Sequence, residues 1–149
     1  MTDPGRNAVH LEYEIGTPAL PADVPVHGVS IELARISYNT HPTLGEHCFK
    51  NEIALTYDTV VGSSFSPPPY LVSMLGDVAL ARQRILLSID VMSRLGCDAH
   101  AEPPQRLRRY AFSYRPDADT RQPRLGAVQM FGRQGTPEET SGVLIAYYA

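Results

Sequence analysis

The chain lacks most of the marks from which a function can be read directly. No apolar run approaches the ~20 residues that cross a bilayer as a helix, so a transmembrane protein is not expected. Basic charge is not in surplus: 13 Lys and Arg stand against 16 Asp and Glu, for a net charge of −3. That balance argues against a nucleic-acid binder, which concentrates positive charge on one face. Only two cysteines are present, Cys48 and Cys97, and they form no CxxC pair. Two free thiols in a reducing cytosol fit that usage better than a lone disulfide. The N-terminal MTDPGRNAVH has no apolar core, so no secretory leader is expected and the default location is cytoplasmic. Internal repeats and low-complexity tracts are absent too, and no linker divides the chain.

What is present describes a folded, turn-rich domain. The 149 residues suit one domain, with a loose polar arm over 1–8 and a single α+β domain over 9–149. Apolar residues make up 43% of the chain and charged residues 19%, which excludes wholesale disorder. Thirteen prolines and eleven glycines point to many short elements rather than a helical bundle. Val9, Leu11, Tyr13 and Ile15 alternate with His10, Glu12 and Glu14, the period of a strand with one wet face. Similar alternation marks strands over about 29–37, 53–61 and 107–115, and 143–148 closes the chain as an apolar strand. The segment 125–131 fits either a short strand or a short helix.

One long helix is predicted over 77–95. Asp77 suits an N-cap, Gly96 a C′ position, and Arg94 the last turn. Leu75, Val78, Ala79, Ile85, Leu86, Ile89 and Met92 form one apolar stripe at helical spacing; Leu80, Leu87, Val91 and Leu95 form a second. The expected architecture is therefore α+β, a mixed or antiparallel sheet of five to six strands packed by this helix. Six strands at about 4.8 Å spacing extend across roughly 29 Å, whereas one helix is only about 10–12 Å wide. Part of the sheet would stay uncovered, so either it curls into a partial barrel or another subunit covers it. The doubly apolar helix and the apolar C-terminal strand favour assembly, and a homo-oligomer is expected.

The run Gly76-Asp77-Val78-Ala79, followed by Leu86, Ile89 and Gly96, resembles the first helix of the YjgF/Rid family. The succeeding RLRRYAFSYRPDAD, from Arg106 to Asp119, is similar to that family's next strand and turn. The resemblance covers about 45 residues. It implies a chorismate-mutase-like α+β fold, shared with the related chorismatases, and a trimer with ligand clefts between subunits. Imine hydrolysis is not implied here: the stretch from Gly132 to Gly142 is too short for the family's arginine-bearing strand. Val143 and Ile145 stand where its pattern has acidic residues.

Several side chains could carry chemistry. His41, His47 and Cys48 form the densest group of metal- or proton-capable residues, open to a catalytic reading or to one as plain loop polar residues. Their spacing matches no common zinc pattern, so neither a metal nor a cofactor is expected. Gly62-Ser63-Ser64 lacks the spacing of a nucleophile elbow and reads as a turn. Arg109 and Arg115 should share one face of a strand, opposite Tyr110 and Phe112. That arrangement could hold a small anionic ligand between guanidinium forks and a ring, or simply be a solvated face above an aromatic core. Two functional classes follow. One is a small-molecule enzyme of lyase or hydrolase type acting on an anionic metabolite in an inter-subunit cleft. The other is a non-catalytic ligand-binding or assembly subunit, with its own copies as partner and no nucleic-acid or membrane partner.

Overall fold

The alternating segments form strands, and so does the segment expected to be helical. The computed structural model describes residues 8–18, 27–41, 45–58, 71–82, 84–97 and 103–147. Nine strands follow in chain order: β1 (His10–Gly16), β2 (His27–His41), β3 (Gly45–Tyr57), β4 (Leu71–Leu75), β5 (Val78–Arg82), β6 (Leu86–Ser93), β7 (Gln105–Pro116), β8 (Pro123–Phe131) and β9 (Val143–Tyr147). Among the described residues there is no α-helix, only a single 3-10 turn at Pro137–Glu139. The strands join one sheet in the order β4-β5-β2-β3-β6-β7-β8-β9, with β1 added to β2. All pairings are antiparallel except β2 with β5.

This corrects the α+β expectation, and with it the chorismate-mutase-like fold that the family resemblance implied. The predicted helix over 77–95 is the second arm of a hairpin followed by a central strand. Gly76 and Asp77 do not cap a helix; they are the two-residue turn between Leu75 and Val78, which pair across β4 and β5. Gly76 has φ 61°, the positive value that a type II′ hairpin turn needs at its first central residue. The two apolar stripes together left only a narrow polar face, and a segment apolar on nearly every side suits a central strand as well as a buried helix. Leu87, Ile89 and Val91 alternate with Ser88 and Asp90, a period of two that the helical reading passed over. The ambiguous segment 125–131 lies in β8.

The ladder is repeatedly interrupted. Successive partners skip Ala34 in β2, Leu87 in β6, Leu107 in β7, Gly126 in β8 and Ile145 in β9. Each skipped residue is a bulge, which bends its strand, increases the local twist and re-aims the side chains beyond it.

The sheet has no covering layer among the described residues. The elements in extensive contact are neighbouring strands, not opposed faces. Among the described residues the buried hydrophobic ones are Ala8, Cys48, Ala79, Ala81 and Val128, and no large side chain is fully enclosed. Sixteen large hydrophobic residues are exposed, among them Leu11, Ile15, Ile31, Met74, Leu75, Val143 and Tyr147. Every residue of β1 is exposed, so the single wet face expected for that strand is in fact two.

Cys48 and Cys97 are joined in a disulfide, with Cα atoms 5.9 Å apart. Neither is the free thiol that the cysteine count suggested. The bond ties β3 to the chain just beyond β6, closing the end of a ladder in which Asn51 pairs with Ser93.

Candidate functional site

The most developed polar constellation lies where β1, β2, β3 and the start of β6 converge. Register places Glu14 on β1 directly opposite Glu32 on β2. Two like charges so placed repel each other. Arg84, between β5 and β6, resolves the conflict: its Nη1 donates to Glu14 Oε2 at 2.7 Å and to Glu32 Oε2 at 2.8 Å. Its Nε donates to the Asp58 carbonyl oxygen at 3.0 Å, and its guanidinium carbon lies 5.3 Å from the centre of the Tyr57 ring. Burial opposes the Arg84 charge, but the bonds and charges of the two glutamates outweigh it and hold its pKa above the ordinary guanidinium value.

Glu32 is the one buried charged residue among those described, only 6% exposed. Its Oε1 is enclosed with no hydrogen-bond partner among the described residues. Two tyrosines flank the cluster. Tyr57 Oη donates to the Leu33 carbonyl at 3.1 Å, and Tyr114 Oη donates to the Leu86 carbonyl at 2.8 Å. Desolvation, reinforced by the Glu32 charge, pushes the Tyr57 phenol above 10.0, and desolvation alone does the same for Tyr114. Both residues follow register shifts, Tyr57 opposite the Leu87 bulge and Tyr114 opposite the Gly126 bulge. Tyr13, Glu32, Tyr57, Arg82, Arg84 and Tyr114 share the walls of a cavity of about 450 Å³ with Ile31, Leu33, Ile85 and Leu86.

The described residues singled out from the sequence do not line this cavity. His41 ends β2 and His47 lies early in β3, but their side chains fall outside the described residues. Cys48 is in the disulfide, so its sulfur is no thiolate nucleophile while that bond stands. Ser63 and Ser64 lie outside the described residues. Arg109 is paired with Asp90 across β6 and β7, its Nε and Nη2 each 2.7 Å from a carboxylate oxygen. That fork of bonds to Asp90 is the main cause of the raised Arg109 pKa. Arg115 stands opposite Arg124, Tyr110 opposite Ile89 and Met130, and Phe112 opposite Val128. None of these four lines the 450 Å³ cavity. Among the described residues no group of three His, Cys, Asp or Glu side chains could hold a metal, and no helix is long and apolar enough to cross a membrane.

Sequence reasoning missed Glu14, Glu32 and Arg84. The signal was faint but present: Glu14 and Glu32 each occupy a polar position in an alternating strand, and a hairpin register brings such positions together. Arg84 gave no warning, because in a helix over 77–95 it falls on the narrow polar face left between the two apolar stripes. No protein-family model and no curated protein matches the chain.

Proposed function

We propose that the protein is a non-enzymatic assembly subunit whose sheet is completed by a second copy of the same chain, joined along β9. The observation that carries this reading is the sheet's apolar exposure. A domain of this size ordinarily encloses large side chains, yet among the described residues sixteen large hydrophobic ones are exposed. Where such residues adjoin one another, exposed apolar surface marks an interaction site.

The occupant is argued from the edge. β4 and β9 form the two ends of the strand order. Strand β9, VLIAY, contains no charge and no proline, and Val143, Leu144, Ile145 and Tyr147 are each at least half exposed. Sheets that stay monomeric guard such edges with lysine, proline or inward-pointing charge. An identical β9 from a second copy meets this one antiparallel and closes a two-fold dimer. The net charge of −3 is too small to hold two copies apart. The assignments of Arg109 to Asp90 and of Cys48 to Cys97 favour this reading over the enzyme, because both occupy groups on which the enzyme reading relied. The disulfide also favours a compartment that permits one over the reducing cytosol.

Light scattering on purified protein tests the proposal. Ile145→Lys should lower the measured mass to that of a monomer, whereas Thr140→Lys, outside the strand, should leave it unchanged. Ile145→Lys protein that retains the assembled mass of the unaltered chain would rule out β9 as the contact.

A further inference from the structure

The cavity walled by Tyr13, Tyr57 and Tyr114 stands apart from the assembly edge, since none of its lining residues belongs to β8 or β9. Two arginines line it, Arg82 at the end of β5 and Arg84 just beyond. Arg84 is largely engaged: Nη1 is held by Glu14 and Glu32, and Nε by the Asp58 carbonyl. Its Nη2 has no hydrogen-bond partner among the described residues and is not enclosed. Arg82 is exposed and makes no ion pair or side-chain hydrogen bond with any described residue. The two glutamates are drawn to Nη1 of Arg84, so neither carboxylate is within ion-pair distance of Arg82. Against the upward push of burial and Glu32, the charges of Arg82 and Arg84 both pull the Tyr57 pKa down, so both guanidinium groups bear on the same wall. Tyr57 and Tyr114 donate their hydroxyl protons to backbone oxygens, which leaves the arginines as the charged donors. At about 450 Å³ the space is within the range of small-molecule sites. Arg82 and Ile31 also line a smaller cavity of about 210 Å³, which has neither the tyrosines nor a second guanidinium group.

We propose that the larger cavity binds a small monocarboxylic acid with an apolar body. Its carboxylate accepts from the Arg82 guanidinium, whose planar fork of donors matches the two oxygens. Arg84 Nη2 supplies a further donor from the same wall. The body lies against Tyr13, Ile85 and Tyr114, where aromatic and aliphatic faces offer contact without asking for a hydrogen bond. Arg82 thus supplies the charge that selects an anion, and the tyrosine walls select one that carries an apolar group.

Calorimetric titration of the full-length protein tests this with three probes: 3-phenylpropionate, its neutral amide 3-phenylpropanamide, and acetate. 3-Phenylpropionate should bind saturably. The amide should bind roughly tenfold more weakly or worse, for want of charge-assisted hydrogen bonds. Acetate should not bind at the same concentrations, because it has no body for the tyrosine walls. Arg82→Gln changes an exposed side chain with no partner among the described residues, so it should fold normally and lose about tenfold or more in affinity. Arg108→Gln, equally exposed but on β7 and outside the lining, should bind as the unaltered chain does. Tyr13→Ala changes a half-exposed side chain of the larger cavity alone and should weaken binding several-fold. No saturable binding of 3-phenylpropionate, amide or acetate bound as tightly, equal losses in Arg82→Gln and Arg108→Gln, or undiminished affinity in folded Arg82→Gln or Tyr13→Ala protein would each overturn the proposal.

Discussion

Arg84 shows how much of this structure turns on a single side chain. It neutralises two carboxylates that strand register forces together, one exposed and one buried. Replacing it with Met leaves Glu32 charged, buried and unpaired, which should cost roughly 3 kcal/mol, read from denaturant unfolding. Glu14→Gln removes only the exposed partner and should cost less than about 1 kcal/mol. The tyrosines set a dependence on alkaline pH. Because Tyr57 and Tyr114 hold their protons above 10.0 in the fold, the unfolded chain releases them first. Stability is therefore complete below about pH 10 and falls as pH rises through the folded values. Melting temperatures recorded across that range should drop, and Tyr57→Phe should flatten the drop even though it starts from a lower value. The one-dimensional pattern showed only the polar strand positions of Glu14 and Glu32, not the cluster. Its members lie between 14 and 114 in the chain, and only the register of β1 on β2 and the bulges of β6 and β8 bring them together.

Among elements, the strands with clean alternation were legible and the segment 77–95 was not. Alternation in 9–15, 29–37 and 107–115 follows from one side chain up, one down. In 77–95 apolar residues crowd both faces, because β6 lies in the middle of the sheet, so the period of two over Leu87–Val91 is obscured by apolar stripes that also fit helical spacing. The Gly76-Asp77 pair is equally ambiguous, since a residue that caps a helix also suits a two-residue turn; the choice is made by Leu75 pairing with Val78. The disulfide was illegible for a similar reason. Cys48 and Cys97 are 49 residues apart, and only the pairing of β3 with β6 brings them into reach. A cross-link over a loop of that length stabilises by about 4 kcal/mol on the chain-entropy model. Cys48→Ser with Cys97→Ser should lose most of that in equilibrium unfolding. A thiol-reactive dye should find no free sulfur in the unreduced, unfolded chain.

At the scale of the whole molecule, the sequence argument and the structure reach the same problem by different routes. The expected fold had too little helix to cover its sheet; the observed fold has no covering layer among the described residues. The uncovered sheet was expected from the width of the strands against that of one helix. That helix is absent among the described residues, and which strands present the apolar faces was not foreseen. Strand β9 was read as an apolar closing strand, but its place at the end of the sheet order comes only from the topology. On β7, strand pairing sets Arg109 opposite a carboxylate, Asp90, which no reading of the sequence alone could place there.

Self-association along β9 is the central claim, and the mass of the unaltered protein in solution tests it most directly. Sedimentation velocity over a dilution series should show a species of at least twice the 16.4 kDa chain mass, dissociating toward monomer as the protein is diluted. A single monomeric boundary at every concentration, from protein with the circular dichroism of a folded sheet, would contradict it.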